Sequence, residues 1–179
     1  MKTILATLLA FSCSCFTFAL DGPPFAVVGD AKLIATFNVA DDPVLVKGTL
    51  SSGDEITIST LQSALVVRAN HNKLANEVYT IEDASETILV SVYEYDFDKD
   101  GEMELLIVDS PDFYAVNVHV FRYSNGLKEM VGNLFGQFLI SLEDNVVSMP
   151  YGSQGLTDEY IYRNGAFYHL VYHDPENRD

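Results

Sequence analysis

The segment YDFDKDGEMELLIV, residues 95–108, joins an acidic run to a continuous apolar run. Acidic side chains occupy every second position from Asp96 to Glu104, and Gly101 stands sixth counting from Asp96. The apolar residues 105–108 are typical of a buried strand. The segment therefore predicts a tight acidic loop that joins two strands, not two helices.

Short apolar runs alternate with turn signals on both sides of this segment, and valine, isoleucine, tyrosine and phenylalanine fill them. These residue types suit a half-buried pleated surface. We expect a mainly β fold of antiparallel sheets, arranged as a partial propeller, a sandwich or a barrel. The predicted strands are Lys32–Val39, Val44–Thr49, Glu55–Ser59, Thr87–Tyr95, Glu102–Asp109, Val116–Tyr123, Gly136–Ser141, Val146–Met149, Glu159–Arg163 and Ala166–Tyr172.

Residues 61–78 fit two interpretations. The run 64–67 would suit a strand, whereas four apolar residues could lie along one helical stripe. We expect a single helix here. The residues of that stripe are Leu61, Leu65, Leu74 and Val78.

Two Asn-Gly pairs, at residues 125–126 and 164–165, each follow an aromatic-rich run. Asn-Gly tolerates the positive φ angles that tight hairpin turns require. Each pair therefore predicts a β-hairpin, and two copies are too few to indicate a repeat architecture.

Residues 1–19, MKTILATLLAFSCSCFTFA, are predicted to be a secretory signal peptide, because one lysine is followed by apolar and small residues that end at Ala19. The run is too short for a spanning helix. Cleavage would leave one domain, residues 20–179, in the periplasm or outside the cell. The alternative is a lipid anchor at Cys13 or Cys15, although the flanking residues fit a lipobox poorly.

The chain is strongly acidic, with a formal net charge of −16. Such a charge repels nucleic acid and anionic lipid surfaces, and it favours metal ions or basic proteins as partners. Both cysteines lie in the predicted signal peptide. The domain therefore cannot be a disulfide scaffold, and catalysis by a Cys-His pair is excluded.

The sequence carries no recognisable catalytic motif. It has no Gly-x-Ser-x-Gly, no His-Glu-x-x-His and no nucleotide-binding glycine loop. His169 and His173 would lie about 13 Å apart on a strand, too far to share a zinc ion. We expect a protein that is not an enzyme, although a glycosidase-type carboxylate pair cannot be told from an acidic surface without geometry.

The spacing of oxygen atoms in residues 96–104 suits a calcium ion. Calcium takes six to eight oxygen ligands, a tight loop delivers alternate side chains inward, and glycine permits the sharp bend. Position seven, Glu102, would bind through its main-chain carbonyl. Without an ion the crowded carboxylates would repel one another, which raises their pKa values. The alternative is an accidental acidic run in an acidic chain.

The motif Asp-x-Asp-x-Asp-Gly-x-x-Glu-Leu, leading into an apolar strand, resembles the calcium loop of FG-GAP and VCBS-type repeats, the blade motif of integrin-like β-propellers. Here the loop occurs once, whereas a propeller would repeat it. The resemblance implies Asp96, Asp98 and Asp100 as side-chain ligands. It also implies Glu102 as a carbonyl ligand and Glu104 as the ninth-position ligand, bound directly or through water.

The order of features from Thr87 onward is also similar to that of small exported bacterial calcium-loop proteins that inhibit lysozymes or serve as immunity proteins. This resemblance implies a non-catalytic binding protein whose partner is a basic cell-wall hydrolase. The alternatives are a carbohydrate-binding or adhesive module, in which Tyr114 or Tyr151 would contact the sugar, and a glycosidase-type enzyme.

Overall fold

The computed structural model describes residues 26–39, 45–61, 64–71, 75–81, 89–111, 115–123, 127–137, 139–151 and 156–170. These ranges contain fourteen strands and no helix, and hence no helix that could cross a membrane. The strands are β1 (Ala26–Val28), β2 (Lys32–Asn38), β3 (Leu45–Thr49), β4 (Glu55–Leu61), β5 (Ala64–His71), β6 (Ala75–Ile81), β7 (Leu89–Tyr95), β8 (Glu104–Ser110), β9 (Ala115–Arg122), β10 (Lys128–Gln137), β11 (Leu139–Glu143), β12 (Val146–Tyr151), β13 (Leu156–Arg163) and β14 (Ala166–Leu170).

The strands form three sheets, each with a linear strand order. The central sheet has the order β10-β9-β8-β7-β2 and is antiparallel throughout. The second sheet has the order β1-β11-β12-β13-β14, in which only β1 and β11 run parallel. The third sheet, β3-β4-β5-β6, is antiparallel. The predicted mainly β fold class is confirmed.

The central sheet buries apolar side chains on both faces. Leu106 and Val108 on one face belong to a cluster with Met149 of the second sheet. Leu105 and Ile107 on the other face belong to a cluster with residues of the third sheet. Every residue of β8 is buried as a result, which explains why this strand lacks the apolar-polar alternation of a half-exposed strand.

The predicted helix over residues 61–78 is wrong. The chain instead forms β5 and β6, which pair antiparallel. Leu65 and Val67 pack in the cluster between the third and central sheets, and Val66 and Ala69 are buried as well. Leu61 and Val78, at the two ends of the proposed helical stripe, are 61% and 55% exposed, so neither side chain is part of a buried core.

The predicted strand Gly136–Ser141 is also wrong as a single element. Gly136 belongs to β10 in the central sheet, whereas Ser141 belongs to β11 in the second sheet. A Cβ atom at position 136 would lie 2.6 Å from the Cβ of Met149 on β12. Glycine therefore permits the close approach of the two sheets where the chain passes between them.

The other predicted strands correspond to β2, β3, β4, β7, β8, β9, β12, β13 and β14, with shifted ends. The hairpin at residues 164–165 is confirmed: Asn164 (φ 52°) and Gly165 (φ 80°) join β13 to β14. The predicted signal peptide, Tyr114 and the Asn-Gly pair at 125–126 lie outside the described residues.

Candidate metal centre

The acidic motif forms the turn between β7 and β8, residues 96–103. Tyr95 and Glu104 face each other at the ends of these antiparallel neighbours, so the loop joins two strands as predicted. Lys99 (φ 58°) and Gly101 (φ 88°) adopt left-handed backbone conformations that bend the chain. Nothing lies within 4 Å of a Cβ at position 101; glycine is therefore favoured there by its backbone conformation, not by crowding.

Asp96, Asp98 and Asp100 converge within this turn. One carboxylate oxygen from each lies within 4.8 Å of the other two. Amide groups of the loop hold two of the side chains in place: Asp96 accepts hydrogen bonds from the amides of Asp100 (3.2 Å) and Gly101 (3.0 Å), and Asp100 accepts one from the amide of Glu102 (2.7 Å). Converging carboxylates are the donors that hard divalent cations prefer.

The negative charges of the carboxylates in the turn repel one another. Partial burial raises the pKa of Asp98, and the neighbouring Asp100 carboxylate raises it further. A raised pKa means that the ionised form is disfavoured where it stands. A bound cation would relieve this repulsion.

Glu104, the predicted ninth-position ligand, lies below the loop and outside the three-aspartate group. Its side chain is 1% exposed, and Oε2 accepts a hydrogen bond of 3.2 Å from the amide of Phe97. Oε1 is buried and accepts no hydrogen bond from any described residue. Burial raises the pKa of Glu104, and the Asp98 charge adds to the rise. The guanidinium of Arg122, 3.5 Å from Oε1, offsets part of this rise in pKa.

Arg122 on β9 lies between Glu104 and the loop. Its Nη2 atom is 3.5 Å from Glu104 Oε1 and 3.9 Å from Asp98 Oδ2, and it donates a hydrogen bond to the Tyr162 hydroxyl. No sequence motif pointed to Arg122. Arg122 lies opposite Glu104 in the β8–β9 pairing, and this register is the signal that could have located it.

Two contacts tie the turn to the second sheet. The Tyr95 hydroxyl donates a 3.0 Å hydrogen bond to the carbonyl of Asp144, in the β11–β12 turn, and Lys99 forms an ion pair with the Asp144 carboxylate. Phe97 is 1% exposed, and its ring meets those of Tyr95 and Phe167 edge-on at centroid distances of 4.7 and 5.0 Å. A buried aromatic anchor therefore fixes the position of the exposed carboxylates.

The remaining site residues are placed as follows. Glu102 is an exposed loop residue, and its main-chain role stays a prediction. His169 forms a hydrogen bond of 2.7 Å with Asp158 and stacks on Tyr160, while His173 lies outside the described residues. In the described part of the chain, Asp96, Asp98 and Asp100 form the one group of three acidic, histidine or cysteine side chains with ligand spacing.

Comparison with known proteins gives no match: no family model, no curated protein and no solved structure is significantly similar to this chain.

Proposed function

We propose that the protein is a non-catalytic binding protein that holds one calcium ion in the β7–β8 turn. The convergence of three aspartate oxygens within 4.8 Å is the observation that carries this proposal. Glu104 Oε1, which is buried and forms an ion pair with Arg122 but no hydrogen bond within the described residues, adds a further oxygen next to the loop. The donors are all oxygen atoms, which suits calcium better than zinc or copper.

The ligand roles are those that the resemblance to FG-GAP-type calcium loops implies. Asp96, Asp98 and Asp100 would bind through their side chains, Glu102 through its carbonyl, and Glu104 directly or through water. Position twelve of the loop is Ile107, which cannot supply the bidentate carboxylate of an EF-hand. An affinity on the order of 0.1–1 mM is therefore expected, in the range of extracellular calcium modules.

Calcium should stabilise the folded state by mass action, because the unfolded chain does not hold the three carboxylates together. At 10 mM calcium, with the affinity above, the stabilisation is about 1.4–2.7 kcal/mol. Thermal unfolding of the purified protein should show a higher Tm in calcium than in chelator. A sodium chloride sample of matched ionic strength controls for screening of the net charge.

Two variants sharpen this experiment. Asp98→Asn keeps the side-chain shape but removes one ligand charge, so it should abolish most of the calcium-dependent rise in Tm. Glu55→Gln removes one charge from an exposed position of β4, in the third sheet, and should keep the full rise. Equal melting curves of the wild-type protein in calcium and in chelator would refute calcium binding.

The acidic surface supports a basic protein as the partner. The net charge of −16 would attract a basic cell-wall hydrolase such as lysozyme, and such steering weakens with salt. Excess protein should therefore inhibit at least one member of a panel of basic lysozymes, less strongly at high salt. Unchanged activity across the panel would exclude this partner class while leaving calcium binding intact.

A further inference from the structure

The cation site contains a positive charge of the protein's own. Arg122 Nη2 lies between Glu104 Oε1 and Asp98 Oδ2, at 3.5 and 3.9 Å. The Tyr162 hydroxyl holds the guanidinium from the side of the second sheet. The contact to Glu104 is an ion pair at a buried oxygen, and the contact to Asp98 is a longer ion pair at a partly exposed carboxylate.

We infer that Arg122 sets the affinity and occupancy of the calcium site, because its guanidinium competes with the cation for Asp98 and Glu104. This inference rests on the calcium site proposed above. In the ion-free protein the guanidinium offsets two carboxylates that would otherwise repel each other. When calcium binds, the same charge opposes the ion.

The competition is strong enough to measure. A cation held by Asp98 Oδ2 at a calcium–oxygen distance of about 2.4 Å would lie within about 6 Å of Arg122 Nη2. At that distance a monovalent and a divalent charge repel by an amount equivalent to about tenfold in affinity, even in a medium as polar as water. To bind the ion, Glu104 Oε1 would have to give up its 3.5 Å ion pair with the guanidinium, so calcium and Arg122 exclude each other at this oxygen.

Calcium titration calorimetry on the full domain tests the inference, with Arg122→Met as the decisive variant. Methionine removes the charge but keeps much of the apolar stem, so calcium should bind about tenfold more tightly than to wild type. Arg122→Lys keeps the charge and should bind calcium with an affinity close to that of wild type. Arg68→Met removes one exposed positive charge from β5, in the third sheet, and controls for the change in net charge.

Unfolding in chelator separates competition from a purely structural role. Arg122→Met should be less stable than wild type without calcium, because Glu104 loses its counter-ion, and should regain part of that loss in calcium. A structural role alone would lower Tm equally in both conditions. If a folded Arg122→Met protein binds calcium no more tightly than Arg68→Met, the inference is overturned.

Failure of the proposed function can be told apart from failure of the Arg122 inference. If the wild-type protein shows no calcium binding, the proposed function itself fails. If Arg122→Met does not fold, an NMR calcium titration of the wild-type protein tests the inference instead. The Arg122 Nε–H resonance should shift together with the loop amides. An Arg122 resonance that does not move while the loop amides shift would overturn the inference.

Discussion

At the scale of single residues, Glu94 is a buried carboxylate with four hydrogen-bond donors. Its side chain is 0% exposed. It accepts hydrogen bonds from the Ser51 amide (2.8 Å), the Ser51 hydroxyl (2.7 Å), the Tyr123 hydroxyl (2.5 Å) and Lys32 (3.2 Å). Burial alone would raise the pKa of Glu94, but the hydrogen bonds from Tyr123, Ser51 and Lys32 outweigh it and lower the pKa. The carboxylate therefore joins the β3–β4 turn to the central sheet.

Replacing this carboxylate should cost substantial stability. Glu94→Gln removes the charge and turns one acceptor into a donor that faces the donors of its neighbours, so the free energy of unfolding should fall by about 2–4 kcal/mol. Urea denaturation in chelator measures the loss without a contribution from calcium. Glu55→Gln, on an exposed position of β4, should change stability by less than about 0.5 kcal/mol. A loss below about 1 kcal/mol for Glu94→Gln would show that the network contributes little.

The contrast between two sets of residues shows what local sequence can predict about the site. Asp96, Asp98 and Asp100 are close in sequence, and their spacing alone indicated that their oxygens would converge, as they do. Glu104 was placed among them by its position, yet its carboxylate lies under the loop against the Phe97 amide. Arg122 meets Glu104 only through strand pairing. Contacts between distant segments depend on register, which the loop motif does not encode.

At the scale of the elements, the two-sided burial of the central sheet limits what periodicity can predict. A strand covered on both faces reads as a continuous apolar run, and β8 was identified in this way. In β5 the same run of apolar residues was also compatible with a helix, and only packing against the central sheet decides between them. The passage from β10 to β11 was missed because no proline or turn dipeptide separates the two strands.

One end of the central sheet carries polar networks on both faces. Neighbouring residues of a strand point to opposite faces, so Glu94 and Tyr95 serve different networks, as do Arg122 and Tyr123. On the face toward the second sheet, Arg122 contacts Glu104 and Asp98. On the face toward the third sheet, Tyr123 donates to Glu94. The acidic loop 96–103 thus follows an end of the central sheet that contacts both neighbouring sheets.

At the scale of the whole molecule, buried phenols link stability to alkaline pH. Among the described residues, burial raises the pKa of five tyrosines, and raises that of Tyr162 to about 12. Tyr123 shifts upward in the same direction, through burial and then through its hydrogen bond to the Glu94 carboxylate. The other three are Tyr93, Tyr95 and Tyr160. These side chains lie in or directly after strands of the central and second sheets. Their ionisation therefore indicates whether these sheets are still folded.

The free energy of unfolding should therefore fall as pH rises above about 10. Unfolded phenols ionise near pH 10, whereas the folded state keeps these protons, so the stabilising contribution is complete below pH 10 and is lost as pH climbs toward the folded pKa values. The slope is at most about 1.4 kcal/mol per pH unit for each such tyrosine.

Urea unfolding in chelator between pH 9 and 12, with phenolate absorbance recorded in parallel, measures both the free energy of unfolding and the ionisation of the tyrosines. Tyr123→Phe should be less stable at neutral pH but lose stability less steeply, whereas Tyr168→Phe, at a position 53% exposed, should leave the slope unchanged. If all the tyrosines of the folded protein ionise together near pH 10, the buried phenols do not control alkaline stability.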